Sequence, residues 1–181
     1  MSRYFSKLLI LLVVVGCGRP RPTKPSFDPG KSASDALVQY DSNGDGLLSR
    51  EEVADSPGLI AAFERIDSNS DENLSEQELA NRVRYYKSAG VAVINGSVKV
   101  RRKGKPLVGA TVTFRPEPFL GEEFQPCSGE TDETGLASLS REAAQFPGIY
   151  LGFYSVEISQ IVKGKEKIPA KYNTETTLGF E

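Results

Sequence analysis

The stretch Asp41-Ser42-Asn43-Gly44-Asp45-Gly46-Leu47-Leu48-Ser49-Arg50-Glu51-Glu52 constrains the chain more than any other. Read as a twelve-residue loop, it puts oxygen-bearing side chains at positions 1, 3, 5, 9 and 12: Asp41, Asn43, Asp45, Ser49 and Glu52. Leu47 at position 7 offers its backbone carbonyl. Gly46 at position 6 supplies the positive φ that a sharp reversal needs. Glu52 is long enough to give two oxygens at once. Three carboxylates on so short a loop repel one another without a cation between them. A hard cation such as Ca²⁺, which takes about six to eight oxygens, suits this set.

The pattern recurs in Asp67-Ser68-Asn69-Ser70-Asp71-Glu72-Asn73-Leu74-Ser75-Glu76-Gln77-Glu78. Asp67, Asn69, Asp71, Ser75 and Glu78 repeat the side-chain ligands, and Asn73 stands at the carbonyl position. Leu48 and Leu74 share position 8, where paired loops would meet in a short two-stranded bridge. Residues 34–88 resemble a pair of EF-hands. The second loop departs from that pattern at Glu72, where glycine is expected. A side chain at positive φ costs about 1–2 kcal/mol, so the second site is expected to be the weaker, or only a support for the first. Apolar residues at helical spacing flank the loops: Ala33, Ala36, Leu37 and Tyr40, then Leu59, Ala62, Phe63 and Ile66, then Leu79, Val83 and Tyr86. Ser34 is the expected N-cap of the first helix, and Pro57 is expected to cut short the helix leaving the first loop. The loops start close together for an EF-hand pair. A dockerin-like arrangement, also built on repeated calcium loops, is therefore an alternative.

Residues 1–16 read as a leader. Arg3 and Lys7 precede the apolar run Leu8 to Val15, which is too short to span a bilayer at about 20 residues per helix. Val14-Val15-Gly16-Cys17 resembles a bacterial lipobox, which implies cleavage before Cys17 and lipidation of that cysteine. Residues 17–33 form a Pro-rich tether. With Cys17 acylated, Cys127 has no partner within the chain and is expected to be a small core residue.

Past residue 90 the pattern turns to short strands. Val91 to Ile94, Val98 to Val100, Ala110 to Phe114, Leu136 to Leu139 and Tyr154 to Ile158 are apolar or alternate with period two, and turn signals separate them. Gly104-Lys105-Pro106-Leu107-Val108-Gly109-Ala110-Thr111-Val112, Thr131-Asp132-Glu133-Thr134-Gly135 and Tyr154-Ser155-Val156-Glu157-Ile158 follow the order of a carboxypeptidase regulatory-like domain. This resemblance covers residues 91–181. It implies a transthyretin-like sandwich and a non-catalytic accessory module. Some related sandwiches form a Lys–Asn isopeptide bond beside a buried acid. Lys99, Asn173 and Glu157 are the residues to consider here, with surface charge the simpler reading of Lys99.

The expected fold class is α+β: a small all-α EF-hand pair followed by an antiparallel β-sandwich. The chain holds no histidine, which removes the usual general base, and no phosphate loop or nucleophile elbow is present. It is read as a non-enzyme. Its 22 basic residues face 24 acidic ones, a balance that does not suggest nucleic acid. The expected partners are calcium, a membrane through the lipid anchor, and an envelope protein. The expected location is the bacterial cell envelope, lipid-anchored on the periplasmic or outer face.

Overall fold

Asp28 and Pro29 start the first helix. The computed structural model describes residues 25–89, 93–94, 96–141 and 147–181, so the leader, Cys17 and the first half of the expected Val91–Ile94 strand lie outside the described residues. Helix α1 spans Pro29–Tyr40. Asp28 Oδ1 accepts the Lys31 N–H at 3.0 Å, and Pro29, which has no N–H to satisfy, fills the first turn. The helix thus begins ahead of Ser34, and the last part of the expected tether is helical. An Asp-Pro pair caps earlier than a serine that can equally well sit inside a helix.

Strand β1 (Leu47–Ser49) follows the first loop. Only a turn separates it from helix α2 (Pro57–Ile66), whose N-cap is Ser56. Pro57 ends the turn leaving the first loop, as expected of a helix stop, and also opens the next helix from position N1. Strand β2 (Asn73–Ser75) and helix α3 (Glu76–Ser88) complete the helical half. All the apolar residues expected on the faces of α2 and α3 are buried, as are Ala33 and Ala36 of α1, while Leu37 and Tyr40 are partly buried.

The strand half begins with β3 (Ser97–Lys99), β4 (Arg101–Arg102), β5 (Lys105–Pro106) and β6 (Thr111–Pro116). It continues through β7 (Cys127–Glu130), β8 (Leu136–Ser138), β9 (Ser140–Arg141) and β10 (Tyr154–Ser159). It ends with β11 (Ile161–Val162), β12 (Lys165–Glu166) and β13 (Gly179–Phe180). Five strands form one antiparallel sheet in the order β13-β10-β6-β7-β9. Strand β3 pairs with β8, and β4–β5 and β11–β12 are hairpins. Val112, Phe114, Cys127, Ala137, Tyr154 and Val156 lie in its core. The fold is therefore mixed α+β with antiparallel sheets.

The halves are interlocked. Phe119, Leu120, Phe124 and Phe153 come from the strand half but belong to the core cluster of the three helices. The Phe153 ring packs against Tyr86 of α3 at 5.4 Å and against Phe119 at 5.6 Å between centroids. Strand β13 runs against α2 so closely that a Cβ on Gly179 would sit 1.7 Å from the Pro57 carbonyl oxygen. Only glycine permits that approach. Phe153 is fully buried. Replacing it with alanine is predicted to cost about 3–5 kcal/mol, measured as a lower denaturant midpoint followed by both helix and strand signals. A change in the strand signal alone would show that the ring does not couple the halves.

Candidate metal centre

The two loops repeat each other in hydrogen bonding as well as in sequence. In the first, Asp41 accepts the N–H groups of Gly44 at 2.7 Å and Gly46 at 2.9 Å. Asn43 Oδ1 accepts the Asp45 N–H at 2.7 Å, its Nδ2 donates to Asp45 Oδ2 at 3.0 Å, and Asp45 Oδ1 accepts the Leu47 N–H at 2.8 Å. Glu52 folds back over the start of the loop. Its Oε1 accepts the Ser42 N–H at 3.1 Å, and its Oε2 accepts the Ser49 N–H at 2.9 Å and hydroxyl at 2.8 Å.

In the second loop Asp67 accepts from Asp71 N at 3.2 Å and Glu72 N at 3.0 Å, and Asn69 Nδ2 donates to Asp71 Oδ2 at 2.8 Å. Asp71 Oδ1 accepts the Asn73 N–H at 2.9 Å. Glu78 accepts from Ser68 N at 3.0 Å and from the Ser75 hydroxyl at 2.7 Å. Ser75 and Glu78 also form the capping box of α3, so one carboxylate closes the loop and starts the helix.

The loops meet where their strands pair. Leu48 faces Leu74 in the antiparallel β1–β2 bridge, flanked by Leu47 against Ser75 and Ser49 against Asn73, and both leucines are fully buried. Four of the site residues, Leu47, Ser49, Asn73 and Ser75, are thereby fixed in one ladder. Glu52 and Glu78 are brought back to the first turn of their loops. Among the described residues, no group of three or more Asp, Glu, His or Cys side chains is assembled to hold a metal by itself. The oxygens available at each loop are a mixed set of carboxylates, an Asn amide, a Ser hydroxyl and a backbone carbonyl. That mixture is the donor chemistry a hard cation takes.

Backbone strain separates the loops. Gly44 and Gly46 have φ of 76° and 81°, and their counterparts Ser70 and Glu72 have φ of 60° and 67°. Position 6 was expected to be strained in the second loop. Position 4 was missed, although aligning Ser70 with Gly44 exposes it. No atom lies within 4 Å of a Cβ built at Gly44 or Gly46, so the difference between the loops is torsional, not steric.

Hydrogen bonding sets the charge state. The Ser49 N–H and hydroxyl, with further bonds from Asn43 and Ser42, hold the Glu52 carboxyl down at about 2. Burial pushes Glu78 up, but bonds from Ser75 and Ser68 outweigh it and bring that carboxyl to about 2 as well. Both carboxylates stay ionised through neutral and mildly acidic solution, available to a cation.

Two residues that sequence reasoning did not single out tie the loops' helices to the strand half. Glu117, buried, accepts the Gly58 N–H at 2.9 Å near the start of α2 and the Tyr40 hydroxyl at 3.2 Å at the end of α1. Burial raises its pKa, and burial beside Glu117 pushes Tyr40 up to about 12. Glu181, its side chain 2% exposed, accepts from Arg65 of α2 and from Arg82 and Tyr86 of α3. No local signal marked either acid, because only the tertiary fold brings its partners together.

Lys99, Asn173 and Glu157 do not meet. Glu157 pairs with Arg115 at 2.7 Å, Asn173 donates to Glu166 at 2.9 Å, and Lys99 is exposed on β3. Cys127 is buried, and burial pushes its thiol up to about 11, as befits an inert core residue. Comparison with known proteins finds no matching family model, no similar curated protein and no similar solved structure.

Two predictions follow from strain and charge. Ser70→Gly or Glu72→Gly relieves about 1–2 kcal/mol of torsional strain and concedes about 0.5–1 kcal/mol of unfolded-state freedom. Each variant should therefore be slightly more stable than the parent in millimolar calcium, which would hold the loop closed, whereas Gly44→Ser or Gly46→Glu should be less stable there, all read from denaturant midpoints. The carboxyls of Glu52 and Glu78 titrate lower in the folded chain than the ordinary 4.5. Their contribution to stability is then complete above about pH 4.5 and is lost as pH falls toward 2. Double replacement by Gln should flatten this part of the stability–pH curve, and an unchanged slope would assign the acid sensitivity to other groups.

Proposed function

We propose that this protein is a calcium-binding, non-catalytic envelope protein, held to a membrane by lipid on Cys17. The observation that carries the calcium reading is the duplicated loop geometry: two oxygen-rich loops with closely similar internal hydrogen bonds, joined through Leu48 and Leu74. Asp41, Asn43, Asp45, Leu47, Ser49 and Glu52 would hold one ion, and Asp67, Asn69, Asp71, Asn73, Ser75 and Glu78 the other. Bound calcium would supply positive charge to carboxylates that otherwise lean on backbone N–H groups. On this reading the helical half is an EF-hand pair, and the strand half is a transthyretin-like sandwich of the carboxypeptidase regulatory-like kind. The lipid anchor rests on the Gly16-Cys17 motif. Among the described residues no helix is long and apolar enough to cross a membrane.

A second reading makes calcium structural in a dockerin-like assembly module. It is favoured by the way Glu117 and Glu181 tie the helices to the strand half, since fixed helices suit a scaffold better than a switch that opens on binding.

The first loop should bind more tightly. Its glycines reach the closed conformation freely, while Ser70 and Glu72 must be held there against strain that the free loop can relax. Strain of about 1.4 kcal/mol corresponds to a tenfold difference in affinity. An exported module can work at Kd on the order of 10⁻⁴ M. Titration calorimetry on the parent, Glu52→Gln and Glu78→Gln tests this. Glu52→Gln should abolish the tighter event and Glu78→Gln the weaker one. A tighter event that survives Glu52→Gln reverses the ranking, and no heat in any form refutes calcium binding.

A further inference from the structure

The hairpins β4–β5 and β11–β12 carry the same tip. Each turns on Lys-Gly followed by Lys: Lys103-Gly104-Lys105 and Lys163-Gly164-Lys165. In both turns the two central residues are left-handed, with φ of 51° and 79° in the first and 52° and 73° in the second. Two-residue turns of this kind favour Asn, Asp or Gly at the first central position, because a longer side chain is strained there. Both hairpins nevertheless place a lysine at it, at the outermost point of the turn.

The hairpins themselves carry mostly cations, and the acids nearest them belong to the β7–β8 segment, where Glu130 stands beside Gly109 and the Gly135 turn packs against Pro106. Arg101, Arg102, Lys103 and Lys105 line one hairpin, Lys163 and Lys165 the other, and all six are exposed. None of the six is in an ion pair among the described residues. Residues 96–116 contain no acid, and residues 160–174 contain only Glu166. Glu166 is itself exposed and accepts hydrogen bonds from Ser159, Gln160 and Asn173 at 2.6, 3.0 and 2.9 Å, leaving two lysines against one acid on that hairpin. The chain as a whole carries a net charge of −2, so the cationic character belongs to the hairpins and not to the molecule.

Apolar side chains stand beside the cations. Ile161 is 62% exposed, Val108 47% and Val162 41%, and the Gln160 side chain bonds to the Val108 carbonyl at 2.7 Å, tying that loop to the β11–β12 hairpin. Arg101, Arg102 and Leu107 of the first hairpin and its exit line one small apolar cleft together with Ile158 and Ile168, which flank the second hairpin in sequence. The hairpins therefore rise from the same end of the main sheet, where Thr111 of β6 pairs with Ser159 of β10.

We propose that this surface docks on an anionic lipid bilayer. Lysines and arginines supply the attraction to lipid headgroups, and β-branched side chains exposed beside them can enter the interfacial layer. A soluble polyanion would use the cations and leave the apolar residues without a role. The contact is separate from any acyl chain at Cys17 and from the metal loops, and would lay the strand half on the bilayer.

The chain contains no tryptophan, so Ile161→Trp gives a reporter confined to the hairpin. The full chain carrying Ile161→Trp and Cys17→Ser is mixed with vesicles of phosphatidylcholine alone or with added phosphatidylglycerol, each containing bromine-labelled acyl chains. The expected result is a blue shift and quenching on the anionic vesicles only. Adding Lys103→Asn and Lys163→Asn, which suit the left-handed turns, should weaken the effect about thirtyfold, roughly fivefold for each charge. Emission unchanged on anionic vesicles overturns the proposal, even where residues 1–16 bring the chain to the lipid. So does a response to a soluble polyanion such as heparin with none to vesicles, which would identify a polymer-binding face.

Discussion

The pairing of Leu48 with Leu74 is the contact on which the helical half depends. Helices of 12, 10 and 13 residues are marginal alone in water. They persist because their apolar faces close over the two buried leucines. The bridge also fixes the proposed ligand residues on either side of it, and it makes α2 the shared element, leaving the first loop and entering the second. Whatever holds α2 therefore sets the geometry of both loops.

The strand half holds it. Gly179 brings β13 against the start of α2, Glu117 bonds the Gly58 N–H, and Glu181 links Arg65 on α2 to Arg82 and Tyr86 on α3. The two buried acids differ in electrostatics. Glu117 is desolvated with only neutral donors, so its pKa rises. Burial also pushes Glu181 up, but hydrogen bonds from Arg82, Tyr86 and Arg65 outweigh it and lower its pKa. The Glu181 cluster thus resembles a paired buried charge, whose disruption leaves an uncompensated partner, while the Glu117 bonds behave as ordinary buried hydrogen bonds. The loop carboxylates other than buried Glu78, by contrast, reach solvent and lean on backbone N–H groups, a state that a cation would replace without unfolding the helices.

Much of this was legible in the sequence because local chemistry dictates it. The loops announce themselves through residue spacing, the core faces of α2 and α3 through periodicity, and strands such as Thr111–Pro116 and Tyr154–Ser159 through alternation. The start of α1 was misplaced because Ser34 and Asp28 are both plausible caps, and the adjacent proline decides between them. Strand β7 escaped notice because Cys127-Ser128-Gly129-Glu130 has little strand propensity. Gly129 is there because a Cβ would come 2.3 Å from the Ser138 carbonyl oxygen, a reason visible only in three dimensions. Phe119, Phe124 and Phe153 filling the helical core, and Glu117 and Glu181 gripping its helices, depend on long-range contacts that no sequence window contains.

The central claim is that the paired loops are cation sites held in place by their bridge. Equilibrium dialysis of the full chain in millimolar calcium, counted per chain and repeated with Leu48→Ala, tests it most directly. The account predicts two calcium ions per parent chain, and loss of both when the bridge is broken by the alanine. Zero ions bound to the parent would contradict it, and so would two ions retained by Leu48→Ala.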